Sequence, residues 1–117
     1  MRYLLLIYGD ESAYATATPE DMQNEIAAYG VFSEAITAEG IMRGGEALQL
    51  SDTATTVRVR EGETLLSDGP FAETHEQLGG YYIVECDTVD EAIGAATRIP
   101  GARSGSVEVR PIMEFDA

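Results

Sequence analysis

The chain has 117 residues, 21 acidic against seven basic, and a formal net charge of −14. That balance repels phosphate backbones and argues against nucleic-acid binding. The length suits one domain around one core, and no apolar run approaches the roughly 20 residues of a membrane helix.

All seven basic residues are arginine, scattered as Arg2, Arg43, Arg58, Arg60, Arg98, Arg103 and Arg110. The lack of lysine excludes Schiff-base chemistry. A lone cysteine, Cys86, excludes an internal disulfide framework and favours the cytosol. Cys86 reads as a small buried hydrophobe among apolar strand neighbours. The apolar opening of the chain stops at Gly9, Asp10 and Glu11, short of a signal peptide.

That opening, Arg2–Tyr8, reads as a buried strand. Thr18 then offers an N-cap oxygen, Pro19 suits the first helical position and Asp21 complements the helix dipole. Met22, Ile26, Tyr29, Phe32 or Ser33, and Ile36 recur at helical spacing up to Gly40, which predicts a helix with one face on a sheet. Ile41–Leu50 reads as a strand entered through a Gly44-Gly45 turn. Thr55–Arg60 and Glu63–Ser67, joined at Glu61-Gly62, predict a hairpin with its arginines outward. Gly80–Cys86 alternates as a further strand, sending Tyr81 and Tyr82 to opposite faces. Thr88 and Glu91 form the pattern of a capping box. Ala92, Ile93, Ala96 and Ile99 give the second helix its apolar face, Pro100-Gly101 ends it, and Ser106–Arg110 is the last strand.

The order is thus β, α, β, an added hairpin, β, α, β. It predicts an α+β, ferredoxin-like (split βαβ) protomer with both helices on one sheet face. Met22, Ile26, Phe32 and Ile36 are expected to pack with Ile93 and Ala96. The other sheet face also carries apolar residues, so it is expected to meet a second copy in a homodimer.

Residues 67–82, SDGPFAETHEQLGGYY, hold the only histidine, His75, between carboxylates and glycine turns. Gly69 and Pro70 cannot continue a helix or a paired central strand, so the stretch is a shaped loop, expected to be anchored by a buried Phe71. Asp68 serves either as a turn former or as a functional carboxylate. Glu73 and Glu76 flank His75, the pairing that acid–base chemistry uses. Glu46, Asp68, Glu73 and His75 could be drawn together as hard metal ligands, but the pattern is unspecific and no metal or cofactor is expected. The two glycines Gly79 and Gly80 would let backbone approach a ligand closely, and one of the two tyrosines could present its hydroxyl to a cleft.

The run Asp68-Gly69-Pro70-Phe71-Ala72-Glu73, with Glu76-Gln77-Leu78-Gly79-Gly80-Tyr81-Tyr82, closely resembles the signature of the YCII-related, DGPF-domain family. Tyr3–Tyr8, Gly45-Glu46-Ala47-Leu48, Thr55–Val59 and Gly105–Pro111 extend the resemblance over nearly the whole chain. It implies a single domain, a dimeric α/β barrel of ferredoxin-like protomers, and genes often placed beside alternative sigma factors. It implies no established activity. Where the family usually carries Lys this chain has His75, and the histidine of the His–Asp pair that YCII proteins proper use has no counterpart at Tyr8-Gly9-Asp10-Glu11.

Two functions follow as expectations. In the first, a cytoplasmic dimer binds a small ligand or a regulatory partner such as a sigma factor, with Arg43, Glu46, Glu76, Gly79, Gly80 and Tyr82 as binding residues. In the second, a small-molecule enzyme works through Asp68, Glu73 and His75.

Overall fold

In the computed structural model, which describes residues 1–115, the central element is strand β1 (Arg2–Gly9). Its residues alternate: Tyr3, Leu5 and Ile7 are buried, whereas Leu4, Leu6 and Tyr8 stay half-buried. This period of two is what a sheet with one covered face requires. Helix α1 (Pro19–Ala38), strand β2 (Met42–Ala47), the hairpin β3 (Thr55–Arg60) and β4 (Glu63–Asp68), strand β5 (Gln77–Glu85), helix α2 (Val89–Thr97) and strand β6 (Ser106–Pro111) follow. The main sheet is antiparallel in the order β2-β5-β1-β6, and β3 and β4 form a separate two-stranded sheet. The protein is therefore α+β, and neither sheet closes into a barrel.

Both helices start where expected. Thr18 accepts from the Asp21 backbone N–H at 3.1 Å while the Asp21 carboxylate accepts from the Thr18 N–H at 2.9 Å, so the box is closed in both directions. Those bonds hold the Asp21 carboxyl below its ordinary value of 3.8. At α2 the Thr88 hydroxyl accepts from Glu91 N–H, but the Glu91 carboxylate reaches Asp87 N–H instead of closing the box.

Phe32 and Ile36 of α1, Ala92, Ala95 and Ala96 of α2, and Ile99 form one cluster with Tyr3, Leu5, Ile7, Val84 and Cys86. Both helices thus lie over one sheet face. The expected helix contacts need correction at three places: Met22 is 38%, Ile26 70% and Ile93 46% exposed. The inner stripe of α2 runs through its small alanines, which let the helix approach the sheet closely and turn Ile93 outward. Gly44 and Gly45 also differ from expectation. They lie within β2, beyond an irregularity in register after Met42, and not in a turn before it.

The hairpin reverses its predicted orientation. Val57 pairs with Leu66 and Val59 with Thr64, and the valines are exposed, whereas Arg58 is half-buried beneath Phe71. The hairpin projects from the body, and the radius of gyration is 16.3 Å, against about 13 Å for a compact domain of roughly 100 residues.

Ile36→Ala and Ile99→Ala, both at fully buried positions, should each cost about 2–5 kcal/mol in urea unfolding. Ile93→Ala should cost under about 1 kcal/mol. A carboxyl held below its ordinary value stabilises the fold above the unfolded pKa and loses that contribution as pH falls through the folded pKa. Asp21→Ala should therefore be less stable than the wild type at neutral pH, with the gap closing below about pH 4 as the wild-type carboxyl protonates. Thermal unfolding across that range reads the effect.

Candidate functional site

A cavity of about 440 Å³ opens between α1 and the β2–β5 edge of the main sheet. Its space comes from missing side chains. On the helix-facing side, Gly45 pairs with Tyr82, and Ala47 and Ile7 both pair with Gly80, so small residues lie side by side under the first half of α1. Two of them cannot be enlarged. A Cβ on Gly80 would lie 2.8 Å from the Glu46 carbonyl oxygen, and one on Gly45 would lie 2.8 Å from Tyr82 Cδ1. Gly79 has room, its nearest neighbour being 3.9 Å away.

Helix α1 supplies the roof through Glu25, Tyr29 and Ser33, one stripe at four-residue spacing. The Ser33 and Tyr82 hydroxyls share a hydrogen bond of 2.8 Å, and the Tyr82 ring meets Phe32 edge-on at 5.1 Å. Tyr29 Oη accepts from Gly101 N–H at 3.2 Å, and burial pushes its phenol pKa up. The Tyr14 hydroxyl donates to Glu25 at 3.3 Å. Burial, followed by the Glu25 charge, raises the Tyr14 pKa as well. The lining carries Glu25 and Glu46 but no arginine.

The signature loop lies elsewhere. Gly69, at φ +93°, donates its N–H to Ala54 O at 2.7 Å, and the Thr56 hydroxyl donates to Gly69 O at 2.9 Å. These bonds close the base of the hairpin and use the Asp-Gly-Pro turn as a clasp. Phe71 does not anchor the loop by burial. It is 77% exposed, with the Arg58 guanidinium 5.3 Å from its ring centroid. Further along, the Thr74 hydroxyl donates to Glu76 O, Ser106 Oγ donates to the Glu76 carboxylate at 2.8 Å, and Gln77 Oε1 accepts from Glu11 N–H at 3.0 Å.

The expected site residues therefore separate. Glu46, Gly79, Gly80 and Tyr82 line the cavity beneath α1. His75 and Glu76 line a shallow groove with Tyr8, Thr74, Ser106 and Glu108 on the β1–β6 side of the sheet, away from the β2–β5 edge. Asp68, Glu73 and Arg43 line neither; Arg43 instead bonds the Gly40 and Met42 carbonyls and pairs with Glu85 at 3.6 Å. Among the described residues no group of three or more His, Cys, Asp or Glu side chains could hold a metal ion. Near the groove, Asp10 is held below its ordinary value chiefly by the Ser12 hydroxyl and N–H, with a smaller contribution from His75. Helical spacing alone assigns Tyr29 and Ser33 to the face of α1 that packs on the sheet, not to a site. Their spacing from Glu25, which makes a polar stripe inside an otherwise sheet-facing surface, was the signal that marks them.

The model of the YCII-related domain matches residues 1–116. The chain belongs to the YCII-related family. An uncharacterized protein of Rhizobium meliloti (strain 1021) is 35% identical over 114 residues, which cover 96% of this chain and 92% of the relative. No helix among the described residues of this YCII-related chain is long and apolar enough to cross a membrane.

If the close approach of β2 and β5 requires glycine, Gly80→Ala should destabilise the protein by about 1–3 kcal/mol, whereas Gly79→Ala should be tolerated. Denaturant unfolding of the two variants side by side makes the comparison.

Proposed function

We propose that this YCII-related protein is a non-catalytic homodimer that binds a small ligand in the cavity beneath α1. The observation that carries the reading is that glycines at two points of close contact keep that space open beneath a polar stripe of α1. A volume of about 440 Å³ lies within the range of small-molecule sites, about 300–1,000 Å³. With the Glu25 carboxylate brought to the cavity by α1 and no arginine in the lining, the ligand is neutral or cationic, not a phosphate or carboxylate. Ile7 and Met42 offer it apolar contact, and the Tyr82–Ser33 pair offers hydroxyls.

The strand order β2-β5-β1-β6 with both helices on one face supports a ferredoxin-like protomer with an inserted hairpin. The opposite face, where Leu4, Leu6, Tyr81 and Ile83 remain half-buried, supports a dimer that stacks sheet on sheet as an α/β barrel. A cytoplasmic setting suits the lone, buried Cys86. A sigma-factor partner rests on the family resemblance alone.

A second reading draws on the groove, where an exposed His75 and Glu76 lie with Tyr8 and Ser106. It is that of an enzyme moving a proton at the signature loop, with Asp68 and Glu73 nearby in sequence.

A thermal-shift screen of neutral and amine-bearing metabolites, followed by calorimetry, separates the two readings. Ala47→Phe projects a ring into the cavity from an exposed edge position, and it should weaken binding of any hit at least tenfold with folding preserved. Asp68→Asn and His75→Lys should leave affinity unchanged. Affinity that survives Ala47→Phe but is lost in His75→Ala would move the site to the groove.

A further inference from the structure

We propose that the cavity beneath α1 takes an organic ammonium ion, its charged nitrogen held by the Glu25 carboxylate and its apolar part lying along Ile7 and Met42. The inference rests on the small-ligand reading of that cavity and deepens it, by choosing the charge of the ligand and the side chain that holds it.

Glu25 is a charged group that the chain leaves without a counter-charge. It is half-buried on the cavity stripe of α1, where reduced access to water strengthens its attraction for a cation. Among the described residues the ion pairs go to Glu39, Glu85, Glu108 and Glu114, and no arginine reaches Glu25. The chain has no lysine, and its one histidine lies in the groove on the β1–β6 side. The hydrogen-bond partner of Glu25 among the described residues is the Tyr14 hydroxyl, which donates to one carboxylate oxygen at 3.3 Å. An ionised carboxylate offers about four lone-pair sites, so most of its capacity is open to a ligand.

The field of Glu25 reaches into the cavity. Burial pushes the Tyr29 phenol up, the Gly101 N–H works against that, and the Glu25 charge then adds to the rise. A potential that opposes negative charge on Tyr29 favours positive charge beside it. The cation is organic and not a metal ion, because a hard metal takes several oxygen ligands and among the described residues no three His, Cys, Asp or Glu side chains come together to supply them.

The remaining walls fit the rest of such a molecule. Ile26, 70% exposed, makes the rim apolar, and Ile7 and Met42 continue that surface inside. Glu25 and Ser33 stand two helical turns apart on α1, about 11 Å along its axis, so a molecule held at Glu25 extends towards the Ser33–Tyr82 pair. Two hydroxyls that share one hydrogen bond keep a second O–H proton to donate. An oxygen at the far end of the ligand meets a donor there.

Hexylamine, hexanol and hexanoate place a cationic, a neutral and an anionic head on the same apolar chain, and amide NMR titration of the full chain reads both affinity and place. Hexylamine is expected to bind about tenfold or more tightly than hexanol, hexanoate more weakly than either, with shifts at Ser33, Gly45 and Gly80. Glu25→Gln keeps an acceptor for Tyr14, and it should bring hexylamine down to the affinity of hexanol while leaving hexanol unchanged. Glu34→Gln removes the same charge from an exposed position of α1 and should alter neither. Equal losses in the two variants would overturn the inference, by tracing the attraction to the acidic surface as a whole. Equal affinity for the three heads at the cavity would also overturn it, while leaving the small-ligand reading in place. Shifts at the cavity from none of the three would remove that reading and the inference together.

Discussion

The two-residue alternation of β1 is the constraint on which the rest of the structure depends. As an inner strand, it pairs with β5 on one side and β6 on the other, so its side chains set what each sheet face presents. Tyr3, Leu5 and Ile7 fix one face as the floor of the core, and a slip of one residue would exchange them for Leu4, Leu6 and Tyr8. Because both sets are apolar, the register is not chosen by polarity alone. It is chosen by what the helices bring: Phe32, Ile36 and the alanines of α2 close over the first set, and no helix covers the second.

Much of this was legible beforehand because it follows from local rules. Thr18, Pro19 and Asp21 announce a helix start, Thr55–Arg60 announces a strand, and the order of elements gives the class of fold. What was not legible depends on contacts between distant parts. Ile93 looked like core because it sits at helical spacing, yet Ala92, Ala95 and Ala96 bring the helix close enough that the larger side chain is turned away. Val57 and Val59 looked inward because most hairpins lie on a core, and this one does not. Phe71 looked like an anchor for the same reason.

The candidate site was legible only in fragments. Gly79, Gly80, Tyr82 and Glu46 stand together around one cavity, while His75 and Glu76, their neighbours in sequence, stand across β1 beside β6. A motif read as one unit is therefore two pieces of structure in tandem. Its first half is a clasp made from backbone bonds at Gly69, and its second is a strand that must run close to β2. Tyr29 and Ser33 complete the cavity from a helix some fifty residues earlier, a proximity that pairing patterns along the chain do not show. The burial that raises the Tyr29 phenol also keeps its oxygen in place as the acceptor for Gly101 N–H.

The position of the β3–β4 hairpin in the chain has an evolutionary consequence. It is inserted between β2 and β5, which are hydrogen-bonded neighbours, with Leu48 N–H donating to Gly79 O at 2.9 Å where the chain leaves and rejoins the sheet. A short reversal could join the same two strands without moving any other element. Lengthening, trimming or recoding the segment therefore leaves the core's packing untouched. The hairpin can therefore vary in length and sequence while the body beneath α1 changes under separate pressures, so descendants can share a scaffold and differ in this one projection.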